Sequence, residues 1–426
     1  MGLSGHGVAS QMKSEAAQRE KRTFFLEHFR SGFHGVSEPF VRTFFLLIAI
    51  KVFSADEVGQ ALVAASPGLG LLLSPIMVFV ARSLQIPVSR FAGVVIFCGG
   101  ALLAFGAAQG GFLSYLAFSL PAVVVTGSCL PLFTEMYQQN YPEEKRGALF
   151  GRTQRIFVAV AVVTAWLCGV GLEEGIENWS AWIHCFGLCL AAGGLVLSFS
   201  PSKPLEAENF KKSGIPLFRS LRWVVSDGDF RWILGVYMVM GFGNIMMMPL
   251  RVIYLADPQY GFNKSPEFIA IITAVIPPIM LFLFTPIWGK LFDRMNFFLL
   301  RTILNIFLLL SILVYFLPGT TWGFVGGSLL LGLAFSGGNI AWSLWVTKIA
   351  PPDRVADYMA GHTFSTGVRA AIAPLLSVPL AAVVPIEWLV AFSCGLIILS
   401  ILMLGPEVKT WRARRKSQRL TENMTE

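Results

Sequence analysis

Charged residues are scarce in this chain of 426 residues. Asp, Glu, Lys and Arg together make up 14% of it, against about 25% in soluble globular domains. That shortage excludes a set of water-soluble domains, because no folded interior in water has room for 55% hydrophobic residues. Mean hydropathy is +0.65. There are only five histidines, and the six cysteines (Cys98, Cys129, Cys168, Cys185, Cys189 and Cys394) all fall in or at the edge of apolar runs. No zinc-type spacing joins them, His184, Cys185 and Cys189 included, so no disulfide, metal or other cofactor is expected. A Gly-x-x-x-x-Gly-Lys-Ser/Thr phosphate loop is missing, which leaves ATP-driven work in this polypeptide without support. The first twenty-odd residues contain Glu15 and Glu20 and lack the basic, apolar, small-residue order of a secretory leader. His34, Glu38 and His362 form no recognisable catalytic set, so an enzyme is not expected.

Long apolar runs are what the chain has in abundance, and a run of about 20 residues crosses a bilayer as a helix. Such runs predict spans at 29–53, 58–81, 91–109, 112–136, 150–172, 179–199, 231–255, 267–288, 297–317, 322–347, 358–384 and 387–405. The fold class is therefore all-α, a polytopic membrane protein with twelve transmembrane helices and both termini on one side. Lys and Arg gather on that side: before span 1 (Lys13, Arg19, Lys21, Arg22), after span 2 (Arg82, Arg90), after span 4 (Lys145, Arg146, Arg152, Arg155), after span 8 (Lys290, Arg294, Arg301) and in the tail (Arg412, Arg414, Arg415, Lys416). The other side carries mainly Asp56, Glu57, Glu173, Glu174, Glu177, Asp257 and Glu387, with Lys51 and Lys264 as exceptions. The excess of basic loops places both termini in the cytoplasm, with a cytoplasmic (inner) membrane as the expected location. Basic loops facing anionic lipid account for the formal charge of +8 without a nucleic-acid partner.

The chain repeats itself. Ser74-Pro75-Ile76 through Arg82 matches Thr285-Pro286-Ile287 onward at an offset of 211, and Tyr141-Pro142 through Arg146 matches Ala350-Pro351 through Arg354 at 209. Two landmarks at nearly one offset indicate two homologous six-helix halves. The expected organisation is a cytoplasmic segment at 1–28, an N-terminal six-helix bundle at 29–199, a linker at 200–230, a C-terminal bundle at 231–405 and a basic tail at 406–426. In the linker, Pro201, Pro204 and Pro216 disfavour one continuous helix, and Trp223-Val224-Val225 suits the membrane interface.

These features resemble the major facilitator superfamily. The resemblance covers essentially the whole hydrophobic chain and includes the family's Gly-x-x-x-Asp-Arg signature between the second and third spans of a half, here Gly289-Lys290-Leu291-Phe292-Asp293-Arg294. It implies a monomer whose halves are pseudo-symmetric and which moves a small-molecule solute by alternating access. Gly289, Asp293 and Arg294 would then form the gating loop, Gly289 through close helix approach and Asp293 as a capping or ion-pairing carboxylate. In the first half Val78 replaces the glycine and Arg82 stands at the aspartate position. The Gly-Pro-rich signature of proton-driven multidrug exporters is not seen in span 5.

Ionic side chains inside the spans are the candidates for solute binding or coupling, because an Arg or Lys facing mid-bilayer lipid costs about 2.5–3.5 kcal/mol even on a lenient scale. In span 1, His34, Glu38 and Arg42 recur every four residues, within a sector of about 80° and along about 12 Å of helix. All three are expected to face the bundle interior. Glu38 and Arg42 suit a fixed intrahelical ion pair. They also suit a pair that separates, leaving Glu38 to take a proton and Arg42 to meet an anionic or polar solute. His34, with a reference pKa of about 6.5, permits proton exchange.

Span 7 offers Asn244 and Arg251, seven residues apart, and span 11 offers His362 and Arg369 at the same spacing. In a facilitator-type arrangement spans 1 and 7 line the central cavity. Asn244 equally suits a helix–helix hydrogen bond, and Arg251, near the outer end, suits a reach toward water. In span 10, Gly327, Gly332, Gly337 and Gly338 precede Asn339, Trp342 and Trp345; Trp342 beside Asn339 suits a sugar-like or amphipathic ligand, or plain packing. Pro277-Pro278 should interrupt span 8.

The sequence thus points to a secondary active or facilitative transporter of a small organic solute, with H+ as the candidate coupling ion and membrane lipid as its surroundings. A sensor or scaffold on the same fold is the alternative.

Overall fold

A computed structural model describes residues 5–205, 226–346 and 355–425. Among them are 12 helices long and apolar enough to cross a membrane: Ser14–Lys51, Glu57–Leu84, Val88–Gly106, Phe112–Asn140, Lys145–Glu174, Ile176–Ser198, Gly228–Ala256, Pro266–Phe292, Phe297–Phe316, Thr321–Trp342, Tyr358–Val383 and Ile386–Glu407. These are spans 1 to 12 below. A helix closes its backbone hydrogen bonds within one segment, which is what a chain crossing hydrocarbon requires. Short polar residues start several of them. Asp56 accepts the Gly59 N–H at 2.8 Å, Asn296 the Leu299 N–H at 3.0 Å and Thr320 the Gly323 N–H at 3.1 Å, each satisfying a donor the first turn leaves open.

The expected start of span 1 at residue 29 is corrected. Its helix begins at Gly5 and runs without a break to Pro39. The segment before 29 looked like a polar tail, yet Thr23 and Glu27 are buried at 0% and 1% exposure. Glu27 finds its partners in Arg30 and Tyr137, so the helix extends past the end of its apolar run. The regular pattern then breaks at a π turn, Phe40–Phe44, before resuming at Phe45. A second π turn, Ile271–Val275, stands directly before Pro277-Pro278, which occupy the first turn of the helix that follows. Span 4 has a break of its own at Cys129, ahead of Pro131.

The chain forms two compact units, Met1–Ser213 with Ala256–Ala270, and Gly214–Leu255 with Ile271–Glu426. In the first unit, spans 3 and 6 approach with backbone against backbone. A Cβ on Gly100 would lie 2.3 Å from the Ala191 nitrogen, and one on Gly187 would lie 2.3 Å from the Ala104 nitrogen. Small residues let helices in lipid gain packing where no hydrophobic force drives them together. In the second unit, Gly327 approaches Tyr315 and Gly332 approaches Pro277 in the same manner. Gly289 does not behave as expected. A Cβ there would meet only the Ile340 Cδ1, at 3.9 Å, which is ordinary contact, so this glycine is not a point of close helix approach. The match to Tyr141–Arg146 at 350–354 and the Trp223-Val224-Val225 segment lie outside the described residues.

Candidate functional site

In the first unit the candidate ionic groups all sit on span 1. Glu38 and Arg42 form an ion pair, Nε to Oε1 at 2.5 Å, across the π turn. The Glu38 side chain is 17% exposed and that of Arg42 is 55% exposed. The π turn adds a residue to the helical circuit and breaks the straight stripe that the regular four-residue spacing predicts. His34 is half-buried, with its ring 5.0 Å from that of Phe157 and its Nδ1 without a hydrogen-bond partner. It lines a small pocket with Arg30, Phe133, Cys189 and Leu197.

One turn earlier lies a group that the sequence reading missed. Arg30 donates twice to the buried Glu27 carboxylate, at 2.6 and 2.7 Å, and once to the Tyr137 hydroxyl in span 4 at 2.9 Å. Tyr137 in turn donates to Glu27 Oε2 at 2.6 Å, and the Arg30 guanidinium lies 5.0 Å from the Phe133 ring centre. Every charge in this triangle has a hydrogen-bonded counterpart. A Glu and an Arg three residues apart are visible in the sequence, but a span begun at 29 puts the helix boundary between them.

The second unit is different in kind. Arg251 does not reach for water. It is 3% exposed, lies 4.5 Å from the Tyr315 ring centre and donates to Ser311 Oγ at 3.0 Å. Tyr315 closes the contact by donating to the Arg251 carbonyl at 2.9 Å.

Arg369, near the middle of span 11, is 4% exposed and donates to the Tyr237 carbonyl at 2.8 Å and to Thr366 Oγ1 at 3.1 Å. Gly241 makes room for it, since a Cβ there would lie 2.5 Å from Arg369 Nε. On the ring of the same Tyr237 lies a second guanidinium, Arg301, 4.6 Å from the centroid, with Nη2 on Met240 Sδ at 3.1 Å. The sequence reading had assigned Arg301 to the basic inner rim. Its signal was its place four residues inside an apolar run. His362 is fully buried among the rings of Trp342, Trp345 and Tyr237, at 5.2, 5.2 and 5.5 Å.

Trp342 is half-buried and its indole N–H points to Thr366 Oγ1 at 3.4 Å, while Asn339 is exposed. Trp342 and His362 thus come together, as do His362 and Arg369 through Thr366, whose hydroxyl donates to the His362 carbonyl at 2.9 Å. Asn244 is half-buried and no hydrogen bond joins it to a described residue, so it stays apart from this cluster. Of the expected gating loop, Gly289 and Arg294 are on the helix Ile276–Arg294, with Arg294 exposed; the Asp293 side chain lies outside the described residues.

One end of the cluster is closed by Phe230, stacked on Trp345 at 5.2 Å and edge-on to Tyr358 at 4.5 Å. Just outside span 7, Asp227 accepts the Phe230 N–H at 3.0 Å and the Tyr358 hydroxyl at 2.7 Å. Those two donors hold its carboxyl below the usual carboxylate range. A depressed folded-state pKa contributes stability above the unfolded-state pKa, and that contribution is lost as pH falls through the folded value. Tyr358→Phe removes one donor and should lower stability by on the order of 1 kcal/mol at neutral pH. Thermal unfolding in detergent should show the deficit at pH 7 and a narrowing gap to wild type below about pH 4; a gap constant with pH would contradict the assignment.

Residues 233–423 match the sequence profile of the Major Facilitator Superfamily. Solved structures with a similar fold include a variant of the nucleoside transporter NupG, with a TM-score of 0.71 at 14% identity, covering 91% of this chain and 98% of that one. A POT family transporter in complex with a thioalcohol-conjugated peptide has a TM-score of 0.69 at 15% identity, over 92% and 96% of the two chains. The peptide transporter POT in complex with sulfate gives 0.68 at 16%, over 92% and 94%. No curated protein sequence matches.

Proposed function

We propose that this chain, which has the major facilitator fold, is a secondary transporter that carries a small organic solute across a membrane by alternating access. The observation that supports it most is the set of ionic side chains within the spans of both units: Glu27, Arg30, Glu38 and Arg42 in one, Arg251, Arg301 and Arg369 in the other. Charges inside membrane helices are costly to keep and mark solute or proton paths more often than they stabilise a bundle. The matched folds belong to proteins described as nucleoside and peptide transporters, which is consistent with a small organic solute. The termini lie in the cytoplasm and the membrane is the inner one, following the basic loops. The protein works as a monomer.

Glu38 is the proposed coupling residue. Its pairing with Arg42 holds while the carboxylate is ionised, and taking up a proton releases the guanidinium; the two states then differ in charge, which is what a coupling ion must change. His34 is the proposed relay beside it, and Asn244 contributes to solute binding from span 7. Asp293 and Arg294 carry the gating role at the inner end of span 8.

The test is flux into liposomes holding the purified protein, with pooled candidate solutes followed by mass spectrometry, with and without an inward proton gradient. Solute should accumulate only with the gradient, and Glu38→Gln should lose that dependence, lowering accumulation about tenfold or more. Gradient-independent uptake by the unaltered protein would rule out proton coupling. Absence of uptake for every solute class would favour a sensor or scaffold.

A further inference from the structure

The two units balance their interior charge differently. In the first, Arg30 meets Glu27 and Arg42 meets Glu38. In the second, Arg251, Arg301 and Arg369 are 3%, 5% and 4% exposed, and among the described residues none has an acidic partner. Their acceptors are neutral: a serine and a threonine hydroxyl, a backbone carbonyl and a thioether. Arg251 is partly served by the faces of Tyr315 and Phe316. Arg301 and Arg369 share one residue, Tyr237, the first over its ring and the second on its carbonyl. Two guanidiniums gathered around one tyrosine repel each other, in surroundings that screen them poorly.

The same place has a surplus of hydrogen-bond donors. Arg369 Nε, the Tyr237 hydroxyl, the Trp345 indole nitrogen and both ring nitrogens of His362 are buried without a partner. These four residues are 4%, 2%, 0% and 0% exposed. Interiors leave few polar atoms unpaired, and unpaired groups that cluster share a cause. Here Arg, Trp and Tyr present N–H or O–H groups, as does one nitrogen of a neutral imidazole, so what is missing is an acceptor. Two positive charges without a counter-charge call for that acceptor to be negative.

Asn339 is exposed, Trp342 is half-buried, and Trp342, Thr366 and Arg369 are linked by hydrogen bonds at 3.4 and 3.1 Å. The rings of Trp342, Trp345 and Tyr237 pack around His362, an aromatic neighbourhood that suits an organic body better than a bare inorganic ion.

We propose that the C-terminal unit is an anion-recognition site in which Arg301 and Arg369, with Tyr237, Trp345 and His362, receive the carboxylate of a small organic acid. This names the class of solute and rests on the transport reading only for the step that carries it across. A carboxylate has two oxygens with about four lone-pair sites, enough to take the four free donors. It supplies the negative charge that the unit lacks.

The experiment measures thermal unfolding of the full-length protein in detergent at pH 7. The probes are acetate, butyrate and benzoate as sodium salts, the corresponding amides, and inorganic phosphate, all at one ionic strength. At least one carboxylate should raise the unfolding temperature with a saturable dose dependence while its amide does not. Arg301→Gln and Arg369→Gln should each weaken that carboxylate about 30-fold or more, the usual consequence of truncating one partner of a buried charge pair. Arg369→Lys keeps the charge and should retain binding above that of Arg369→Gln, which separates lost recognition from lost folding. The inference is overturned if no carboxylate acts, if amides act equally, if phosphate alone acts, or if both glutamine variants fold and bind as wild type does.

Liposome flux separates the two readings. A neutral solute carried equally by wild type and Arg369→Gln would keep the transporter and overturn the anion site. Carboxylate binding without flux of any solute would keep the site and overturn the transporter.

Discussion

Glu27→Ala is expected to destabilise the protein by about 3–5 kcal/mol, the cost of leaving one member of a buried ion pair behind. Arg30 would retain only the Tyr137 hydroxyl at 2.9 Å and the face of Phe133, against a full charge inside a bundle. Tyr137 would lose the acceptor of its own proton, which Glu27 now supplies at 2.6 Å. Restoring neutrality should recover most of the loss. Glu27→Leu with Arg30→Met, which replaces both charges by apolar groups of similar length, should unfold far closer to wild type than the single substitution does. Thermal unfolding followed by size-exclusion chromatography in detergent reads both. A Glu27→Ala protein that unfolds with the wild type would show that the triangle contributes nothing to stability, and a double variant no better than the single one would show that shape rather than charge governs the site.

The second large effect lies where spans 3 and 6 touch. Gly93 and Gly100 are two helical turns apart on one span, as Gly187 and Gly194 are on the other. Added Cβ atoms at these four positions would lie 2.3 to 2.6 Å from their nearest backbone atoms on the facing helix, apart from Gly93, where the Ser198 hydroxyl at 2.3 Å comes first. Side chains can rotate away from such a clash, but a backbone nitrogen at 2.3 Å moves only with its helix. Gly187→Val should therefore exceed the usual 1–3 kcal/mol of overpacking and leave little folded protein in detergent extracts. Gly289→Ala is the matched control. Its Cβ would meet Ile340 at 3.9 Å, and its yield and unfolding temperature should stay near those of wild type. Normal yield of Gly187→Val would refute the close approach.

The different behaviour of these glycines shows what can be read in a string of residues. Gly289 belongs to a recognisable signature, and the signature says nothing of what stands opposite it. Gly187 belongs to no motif and is seated against a backbone. Arg301 and Arg30 teach the same point for charge. Hydropathy marks where a helix crosses, but a charged residue near the end of an apolar run reads as rim whether it reaches water or turns onto an aromatic ring. Glu38 and Arg42 were legible as a pair because both partners lie on one helix, four residues apart. Glu27 and Arg30 needed Tyr137, which is more than a hundred residues away in sequence.

The sequence by itself determined the twelve spans and the all-α class, because hydrocarbon admits few backbone solutions and long apolar runs disclose the helical one. Beyond the pairs along one helix, the tertiary structure alone decided what surrounds each ionic group. Glu27 and Arg30 are held by a tyrosine from another helix, whereas Arg301 and Arg369 meet on Tyr237 with donors to spare. The physical reason is that burial cost follows residue type and depth, which a sequence contains, while compensation depends on the few ångströms between side chains of different helices, which only packing sets.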